Sequence, residues 1–256
     1  MGQHFLVSGD VLLKIIAAAD LKPTDAVLEI GPGTGTLTRA LAERAGQVIA
    51  VEKDERLFNA LDEELEKEGI ANVRLIHGDI LKLLTFNFKL ETPYKVVANI
   101  PYYLTSRLIR RLLEANPPPQ EILLMIQKEV AERIVAAPPR MNLLAIAVQA
   151  YGRPEIVAHI PASAFAPRPK VDSALIRIAN ISAGFFDAAG VRPERFFLLV
   201  KGAFSQRRKT LANSLAPALG GKAAVREALK TIGRAETARP QELSIGDWAR
   251  LCRIAP

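Results

Sequence analysis

A strand-like segment ends in an asparagine that is followed by proline and tyrosine. The segment KVVAN covers residues 95–99, and Ile100, Pro101 and Tyr102 follow Asn99. Because proline has no backbone N–H and cannot continue the strand, carbonyl groups near it can lack a ladder partner. The Asn99 amide oxygen and the carbonyl of Ile100 or Pro101 then make a two-acceptor site for an NH2 group. The tyrosine offers a π-face for stacking, so the motif predicts a site for an amine-bearing base.

A glycine-rich turn lies between the first predicted strand and a helix. EIGPGTGTLT places Gly31, Gly33 and Gly35 after the strand AVLEI, residues 26–30. Glycines at such a turn let a ligand approach the backbone closely. The dinucleotide fingerprint G-x-G-x-x-G needs glycine where this chain has Thr36. The spacing E-x-G-x-G-x-G instead resembles the first motif of S-adenosylmethionine (SAM) methyltransferases, although a glycine turn taken alone can be purely structural.

Two acidic residues come at the ends of the next two predicted strands. Glu52 ends VIAVE (48–52), and Asp79 follows VRLIH (73–77). A carboxylate at Glu52 can accept both hydroxyls of a ribose, and Asp79 can accept a hydrogen bond from the exocyclic amine of adenine. Either acid alone would be an ordinary solvated strand end. Because parallel strands end at a common crevice, the pair predicts a nucleoside site there.

The elements that must position these residues alternate along the first 130 residues. Continuous apolar strands separated by amphipathic helices are typical of a parallel, doubly wound sheet. Further strands are predicted at 95–99, 121–126 and 171–178, and helices in GDVLLKIIAAAD and at 36–45, 54–68 and 104–115.

The later part of the chain has a different pattern. ISAGFFDAAG (181–190) is interpreted as a linker, and from Arg192 onward the patterns are helical, including RKTLANSLAPAL. The sequence therefore predicts an α/β fold: a Rossmann-like, doubly wound SAM-methyltransferase sheet in residues 1–183 and a small, all-helical C-terminal domain in residues 184–256.

The excess of positive charge lies at the C-terminal end. Residues 1–184 carry 21 Lys and Arg against 21 Asp and Glu, whereas residues 185–256 carry 13 against 6. A basic segment beside a neutral body predicts a surface for a polyanion such as nucleic acid. A merely solvated basic face fits the same charge distribution equally well.

Composition excludes several classes of protein. The single cysteine, Cys252, excludes an intrachain disulfide and a cysteine-based zinc site. The three histidines are scattered along the chain. The start, MGQHFLVSGD, lacks the pattern of a signal peptide. No apolar run approaches the roughly 20 residues of a membrane helix. We expect a metal-free, cytoplasmic protein that is a monomer and does not bind membranes.

Taken together, the motifs resemble the small-subunit rRNA adenine dimethyltransferase family along nearly the whole chain. The similarity runs through GQHFL, EIGPGTGTLT, VEKD, GD, NIPYYL, QKEVAERIVA, SAFAPRPKVDSAL and FSQRRKTLANSL. The resemblance implies SAM as cofactor. It also implies that the substrate is two adjacent adenosines in the 3′-terminal hairpin of small-subunit rRNA, methylated on N6 within the pre-30S particle.

The same resemblance implies roles for individual residues. His4 and Leu6 would form a lid over the cofactor, and Phe165 would close the second face of a flipped base, although on physical grounds it could equally anchor its loop in the core. The implied cofactor-binding residues are His4, Leu6, Gly31, Gly33, Gly35, Glu52, Lys53, Asp79, Ile80 and Asn99. The implied catalytic residues are Asn99, Ile100, Pro101, Tyr102 and Phe165, and the implied RNA-binding residues are Arg168, Lys170, Arg207, Arg208 and Lys209.

Three other functions fit parts of the sequence. An enzyme of the antibiotic-resistance type, which methylates a large-subunit rRNA adenine, would share the active site, but FAPRPKVDSA and QRRK favour the small-subunit family by resemblance. A non-catalytic ribosome-assembly or nucleic-acid-binding factor could keep the fold as a scaffold. A nicotinamide-dependent reductase is disfavoured by Thr36 and by NIPY.

Overall fold

The structure, a computed structural model, describes residues 4–85, 93–206 and 208–254. The chain divides into two compact units: unit 1 comprises Met1–Ala131 and Arg153–Ile181, and unit 2 comprises Glu132–Gly152 and Ser182–Pro256. The predicted division at 183/184 differs from this one in the segment 132–152. No linker-like composition marks the start of that segment, because a helix, α6 (Lys128–Ile134), runs across it.

Unit 1 is built on a seven-stranded sheet with the order β4-β3-β2-β5-β6-β9-β7. The first five strands in this order are parallel. β9 pairs antiparallel with β6, and β7 pairs antiparallel with β9, so β7 runs in the same direction as the first five strands. A separate two-stranded sheet pairs β1 with β8. The strands are β1 (Phe5–Leu6), β2 (Ala26–Ile30), β3 (Gln47–Glu52), β4 (Val73–His77), β5 (Tyr94–Asn99), β6 (Glu121–Gln127), β7 (Arg153–Ile160), β8 (Phe165–Ala166) and β9 (Ser173–Ala179).

The helices of unit 1 begin at side chains that accept hydrogen bonds from free backbone N–H groups. Ser8, Asp54 and Asp79 cap α1, α3 and α4 in this way. The helices are α1 (Gly9–Ala19), α2 (Thr36–Ala42), α3 (Glu55–Lys67), α4 (Ile80–Leu83) and α5 (Thr105–Leu113).

The sheet reverses its strand order between β2 and β5, since β3 and β4 extend it on one side and β6 on the other. Residue pairs between β2 and β5 end at Leu28 and Val96, although the two strands continue to Ile30 and Asn99. The strands therefore separate toward their carboxyl ends and open a crevice, which is where doubly wound sheets bind ligands. The predicted doubly wound sheet is confirmed.

The regular elements in the described part of unit 2 are helices, and they pack around a core that includes Phe186, Phe196 and Trp248. The predicted linker 181–190 was wrong, because α8 lies within it and buries Phe186. The helix predicted in RKTLANSLAPAL is reduced to α10. Apart from α6, the helices of unit 2 are α7 (Leu143–Gln149), α8 (Gly184–Ala189), α9 (Pro193–Phe204), α10 (Leu211–Ser214), α11 (Lys222–Thr231) and α12 (Ile245–Ile254). Across the ranges that the structure describes, none of the helices has the length and apolarity to cross a membrane.

Candidate active site

A cavity of about 230 Å³ lies at the carboxyl ends of the parallel strands in unit 1. Its walls are the glycine turn after β2, the ends of β3 and β5, the start of α4 and the segment 4–6. The cavity thus brings together most of the residues that the sequence singled out. Those that line it are His4, Leu6, Gly31, Gly33, Glu52, Lys53, Asp79, Ile80, Asn99, Ile100, Pro101 and Tyr102.

The glycine turn leaves room for a ligand on one side and packs tightly on the other. Gly31 and Gly35 have φ angles of +70° and +77°, which favour glycine. A Cβ at Gly31 would have no neighbour within 4 Å, whereas one at Gly35 would lie 2.3 Å from Leu61 Cδ1. The backbone at Gly31 is therefore open to a ligand. Gly35 does not line the cavity and instead lets the turn pack against α3.

Glu52 is held in place by the backbone around it. Its Oε1 accepts hydrogen bonds from the N–H groups of Lys53 and Asp54 at 2.8 and 2.9 Å. Its Oε2 accepts one from the N–H of Gly33 at 3.1 Å. The side chain is buried, and one carboxylate links β3 to the glycine turn. Carboxylate oxygens have further lone pairs, so the hydroxyls of a ribose can still bind here.

Asp79 faces the same cavity from the start of α4. Its Oδ1 accepts the N–H of Leu81 at 3.0 Å, and its Oδ2 pairs with Lys53 Nζ at 2.9 Å. The Lys53 ammonium group lowers the pKa of Asp79 below its ordinary value. Asp79 is therefore an anionic acceptor at neutral pH, and the exposed lysine beside it covers one edge of the cavity.

Glu29, which the sequence reasoning did not single out, also lines the cavity. It is 1% exposed, and its Oε2 has no hydrogen-bond partner among the described residues. Burial raises the pKa of Glu29 to about 8, and the nearby Glu52 acts in the same direction, while the Thr38 hydroxyl opposes it only partly. An acid within the apolar strand AVLEI was the signal that could have identified it. A cationic donor in the cavity would supply the missing partner.

Two of the acceptor atoms that were predicted to bind an amine receive no hydrogen bond from the described residues. Asn99 Nδ2 donates to the carbonyl of His4 at 3.2 Å, and no described residue donates to Asn99 Oδ1. The Pro101 carbonyl accepts the N–H of Leu104 at 3.0 Å, whereas the described part of the chain contains no donor to the Ile100 carbonyl. Of the two carbonyls that the sequence left open, that of Ile100 is therefore the free one.

Tyr102 is fixed by contacts with two other segments. Its hydroxyl lies 2.9 Å from Ser173 Oγ, and its ring centroid lies 5.8 Å from that of His4. His4 Nδ1 in turn donates to the carbonyl of Pro167 at 2.6 Å. The N-terminal segment, the NIPY motif and the loop after β8 are thus tied together around one aromatic ring.

Phe165 does not line the cavity. It is 4% exposed and lies in the apolar core of unit 1 with Leu6, whose strand β1 pairs with β8. In this arrangement Phe165 has the role of the core anchor that was its alternative interpretation. The Phe165 side chain packs inward because its strand, β8, pairs with β1.

The predicted RNA-binding residues lie away from the cavity lining. Arg168 and Lys170 are exposed on the loop between β8 and β9 in unit 1. Arg208 and Lys209 are exposed in unit 2, in the connection that precedes α10 rather than at the start of a long helix. Arg207 lies outside the described residues. These five residues remain predictions.

The residues present fit the group that the sequence implied. SAM combines a nucleoside with an amino-acid chain that bears an ammonium group, and the cavity offers Glu52, Asp79 and the unpartnered Glu29 carboxyl in one enclosure. Within the described ranges, no group of three or more His, Cys, Asp or Glu side chains could hold a metal ion.

Comparisons with known proteins give matches along nearly the whole chain. The ribosomal RNA adenine dimethylase family matches residues 1–255. Ribosomal RNA small subunit methyltransferase A of Dehalococcoides mccartyi (strain CBDB1) is 47% identical over 254 residues, which are 98% of this chain and 86% of that protein. The protein of the same name from Alkaliphilus metalliredigens (strain QYMF) is 40% identical over 265 residues, with coverages of 99% and 90%.

Two solved structures are similar over the whole chain. A dimethyladenosine transferase from Plasmodium falciparum has a TM-score of 0.82 and 29% identity, with 97% of this chain and 96% of that chain covered. The 23S rRNA methyltransferase ErmE has a TM-score of 0.76 and 30% identity, with coverages of 98% and 99%.

Proposed function

Since the chain belongs to the ribosomal RNA adenine dimethylase family, we propose that it transfers methyl groups from SAM to N6 of adenosine in small-subunit rRNA. The substrate is two adjacent adenosines in the 3′-terminal hairpin, each dimethylated within the pre-30S particle in the cytoplasm by a monomeric enzyme. The observation that carries the proposal is the pair of free acceptors, Asn99 Oδ1 and the Ile100 carbonyl, in a cavity that also holds two strand-end carboxylates.

In this proposal, the Glu52 and Asp79 carboxylates each bind a different part of the cofactor. Glu52 accepts the ribose hydroxyls, and Asp79 accepts the adenine amine. The unpartnered oxygen of Glu29 and the open backbone at Gly31 hold the amino-acid end. Bound SAM supplies an electrophilic methyl group on its sulfonium.

The target half orients the nucleophile. The adenosine leaves its stack so that N6 reaches the cavity. Asn99 Oδ1 and the Ile100 carbonyl accept the two N6 hydrogens, and the Tyr102 ring stacks on the base. The His4 carbonyl keeps the Asn99 amide in the required orientation by holding its Nδ2. Most of the acceleration is therefore positioning.

No strong base is needed at the nitrogen. N6 becomes cationic when it is alkylated and then releases its proton readily to water. The second methyl requires exchange of the spent cofactor and space beside the first methyl. After the first transfer N6 carries one hydrogen instead of two, so only one hydrogen remains for the two acceptors to bind.

A second candidate substrate is an adenine in large-subunit rRNA, which the similarity to ErmE favours. The small-subunit substrate is better supported, because the relatives with 40–47% identity carry the name small subunit methyltransferase A.

The test is methyl transfer from labelled SAM to small ribosomal subunits that lack their own adenine dimethylation. Large subunits serve as the rival substrate, and the rRNA is digested to nucleosides afterwards. We expect dimethyladenosine from the small subunit with the wild type and none with Asn99→Ala, whose SAM binding persists. Labelling of large subunits alone would establish the second candidate. Binding of small subunits without any transfer would instead indicate an assembly factor.

A further inference from the structure

The second tyrosine of NIPYY is placed differently from the first. Tyr103 lines the mouth of the cavity, yet 73% of it is exposed, and the described residues form no hydrogen bond with its hydroxyl. Tyr102, in contrast, is fixed by Ser173. A largely exposed aromatic ring at a cavity mouth can offer a stacking surface to a bound molecule.

The helix that follows continues this surface with positive charge. One face of α5 is buried through Leu108, Ile109 and Leu112, and the opposite face exposes arginines. Arg110 is neutralised by Glu114, with Nε 2.8 Å from Oε1.

Arg107 and Arg111 form no ion pair with any residue that the structure describes. Tyr103 lies in the 3₁₀ turn Tyr102–Leu104 just before α5, and Arg107 and Arg111 follow it by four and eight residues. About 6 Å of helix rise separates the two arginines. An aromatic ring at the cavity mouth is therefore followed along one helix by two free guanidinium groups.

We propose that Tyr103, Arg107 and Arg111 bind the single-stranded RNA beside the target adenosine. The base next to the flipped one stacks on Tyr103, and its phosphates contact Arg107 and Arg111. This inference rests on the proposed function, because it concerns the same substrate. When a base leaves the stack, its neighbour loses a stacking partner, and a ring at the cavity mouth replaces that partner.

The charge of the surface selects its partner. The exposed side of α5 carries guanidinium groups, and its one acid, Glu114, is already paired. Guanidinium groups with an interleaved aromatic ring match alternating phosphates and bases. With two adjacent adenosines as the substrate, the adenosine that is not in the cavity is the one that lies on Tyr103.

Stacking is tested with a synthetic RNA hairpin that has an adenosine next to 2-aminopurine in its loop. 2-Aminopurine lacks the N6 amine, so the adenosine enters the cavity and the fluorescent base is left beside it. Wild type should quench its fluorescence. Tyr103→Ala should abolish the quenching and weaken binding about tenfold, and Tyr103→Phe should restore both. Equal quenching and affinity in wild type and Tyr103→Ala would overturn the stacking assignment.

The arginines are tested by the salt dependence of hairpin binding. Arg107→Gln and Arg111→Gln should each reduce the slope of log affinity against log salt by about 0.7. Arg56→Gln is the matched control, because it makes the same charge change on α3. Right-handed crossovers place α3 and α5 on opposite faces of the sheet. An equal reduction with Arg56→Gln would mean that the effect is one of general charge, and the phosphate contacts would be rejected.

Methyl transfer by the wild type, measured in parallel, separates this inference from the proposed function. Transfer to small subunits combined with unaltered hairpin binding by the variants would reject the α5 surface alone. Absence of transfer by the wild type would reject the function, while the quenching assay still decides whether RNA lies on Tyr103.

Discussion

The proposed cofactor side and the proposed target side of the cavity differ in how their polar atoms are hydrogen-bonded. On the cofactor side, backbone N–H groups or Lys53 already bind every oxygen of Glu52 and Asp79. On the target side, Asn99 Oδ1 and the Ile100 carbonyl have no donor among the described residues. The Glu52 and Asp79 carboxylates are therefore fixed before any ligand arrives, whereas the acceptors on the target side are free to bind one. Glu29 Oε2 is the exception on the cofactor side, since it has no partner among the described residues.

This difference teaches how one cavity can hold two ligands with different demands. A preorganised carboxylate costs little to reorganise when a cofactor binds, so it contributes mainly to affinity. Free acceptors become satisfied only when the N6 hydrogens of the base are in place, so they contribute mainly to the rate. Variants on the two sides should therefore change different measured quantities.

The largest effect is expected from Asn99→Ala. It removes an acceptor that acts on the nucleophile, so single-turnover methyl transfer should fall about 10²–10³-fold, the range seen for the loss of one preorganised polar group. The dissociation constant of SAM, measured by calorimetry, should change by less than about threefold, because Asn99 is on the target side. A comparable loss of SAM affinity would show that the two sides are not separate.

Glu52→Gln should have the opposite signature. The amide keeps one acceptor but loses the charge that strengthens hydrogen bonds from ribose hydroxyls, so SAM affinity should fall about 10–100-fold. Transfer at saturating SAM should stay within about threefold of the wild type. The same pair of measurements serves as the check: a reduced rate with unchanged affinity would contradict the division of roles.

Glu29→Gln tests the cofactor side through the pH dependence of the free energy of unfolding. The folded protein raises the pKa of Glu29 from 4.5 to about 8. At a pH between these two values, the Glu29 carboxyl is protonated in the folded protein and ionised in the unfolded chain. The free energy of unfolding of the wild type should therefore fall as pH rises through this range. The variant should lack this dependence, so its stability relative to the wild type should rise by roughly 3–4 kcal/mol between pH 5 and pH 8, since each pKa unit corresponds to about 1.36 kcal/mol.

Urea unfolding without ligand, at pH 5, 6.5 and 8, provides the measurement for Glu29. Parallel curves for the wild type and Glu29→Gln would refute a protonated carboxyl at this position. If the ammonium group of SAM supplies the missing partner, SAM should also stabilise the wild type more than the variant at pH 8.

The smallest effect is expected from Lys53→Met. The lysine side chain is 65% exposed, and ion pairs in such positions contribute less than about 1 kcal/mol. SAM affinity should change by less than about threefold at physiological salt. The difference should shrink further at high salt, because exposed charges are screened. Calorimetric titrations at two salt concentrations would detect a larger or salt-independent loss, which would assign Lys53 a direct contact with the cofactor.

Much of the fold could be predicted from runs of apolar residues. The strands at Ala26–Ile30 and Val73–His77 have the predicted bounds, since each run is rich in Val, Leu and Ile and a turn or a helix start follows it. The strand Arg153–Ile160 was not predicted. It begins with Arg-Pro, alternate residues are exposed and only Ile160 is buried, and a bulge between Ile156 and Ala158 shifts its register. Such an edge strand is specified by its neighbour β9 rather than by its own composition.

The site could be predicted as a set of strand ends but not as a set of contacts. Asn99, Glu52 and Asp79 lie close together because the carboxyl ends of parallel strands meet at one edge of the sheet. This rule can be applied to the sequence alone. The burial of Phe165 depends on the pairing of β1 with β8, which lie about 160 residues apart in sequence. Glu29 Oε2 is unpartnered because no described residue places a hydrogen-bond donor beside it. Neither follows from local pattern, because both are properties of tertiary packing.

The pairing of β1 with β8 has a consequence for the timing of synthesis. His4 and Pro167 are 163 residues apart in sequence, yet the imidazole of one binds the carbonyl of the other, and the carbonyl of His4 orients Asn99. A ribosome that adds about 5–20 residues per second needs roughly 8–33 s to make the residues between them. In a nascent chain that already contains the NIPY motif, the Asn99 amide can therefore be held in this orientation only after the loop that follows β8 has been made.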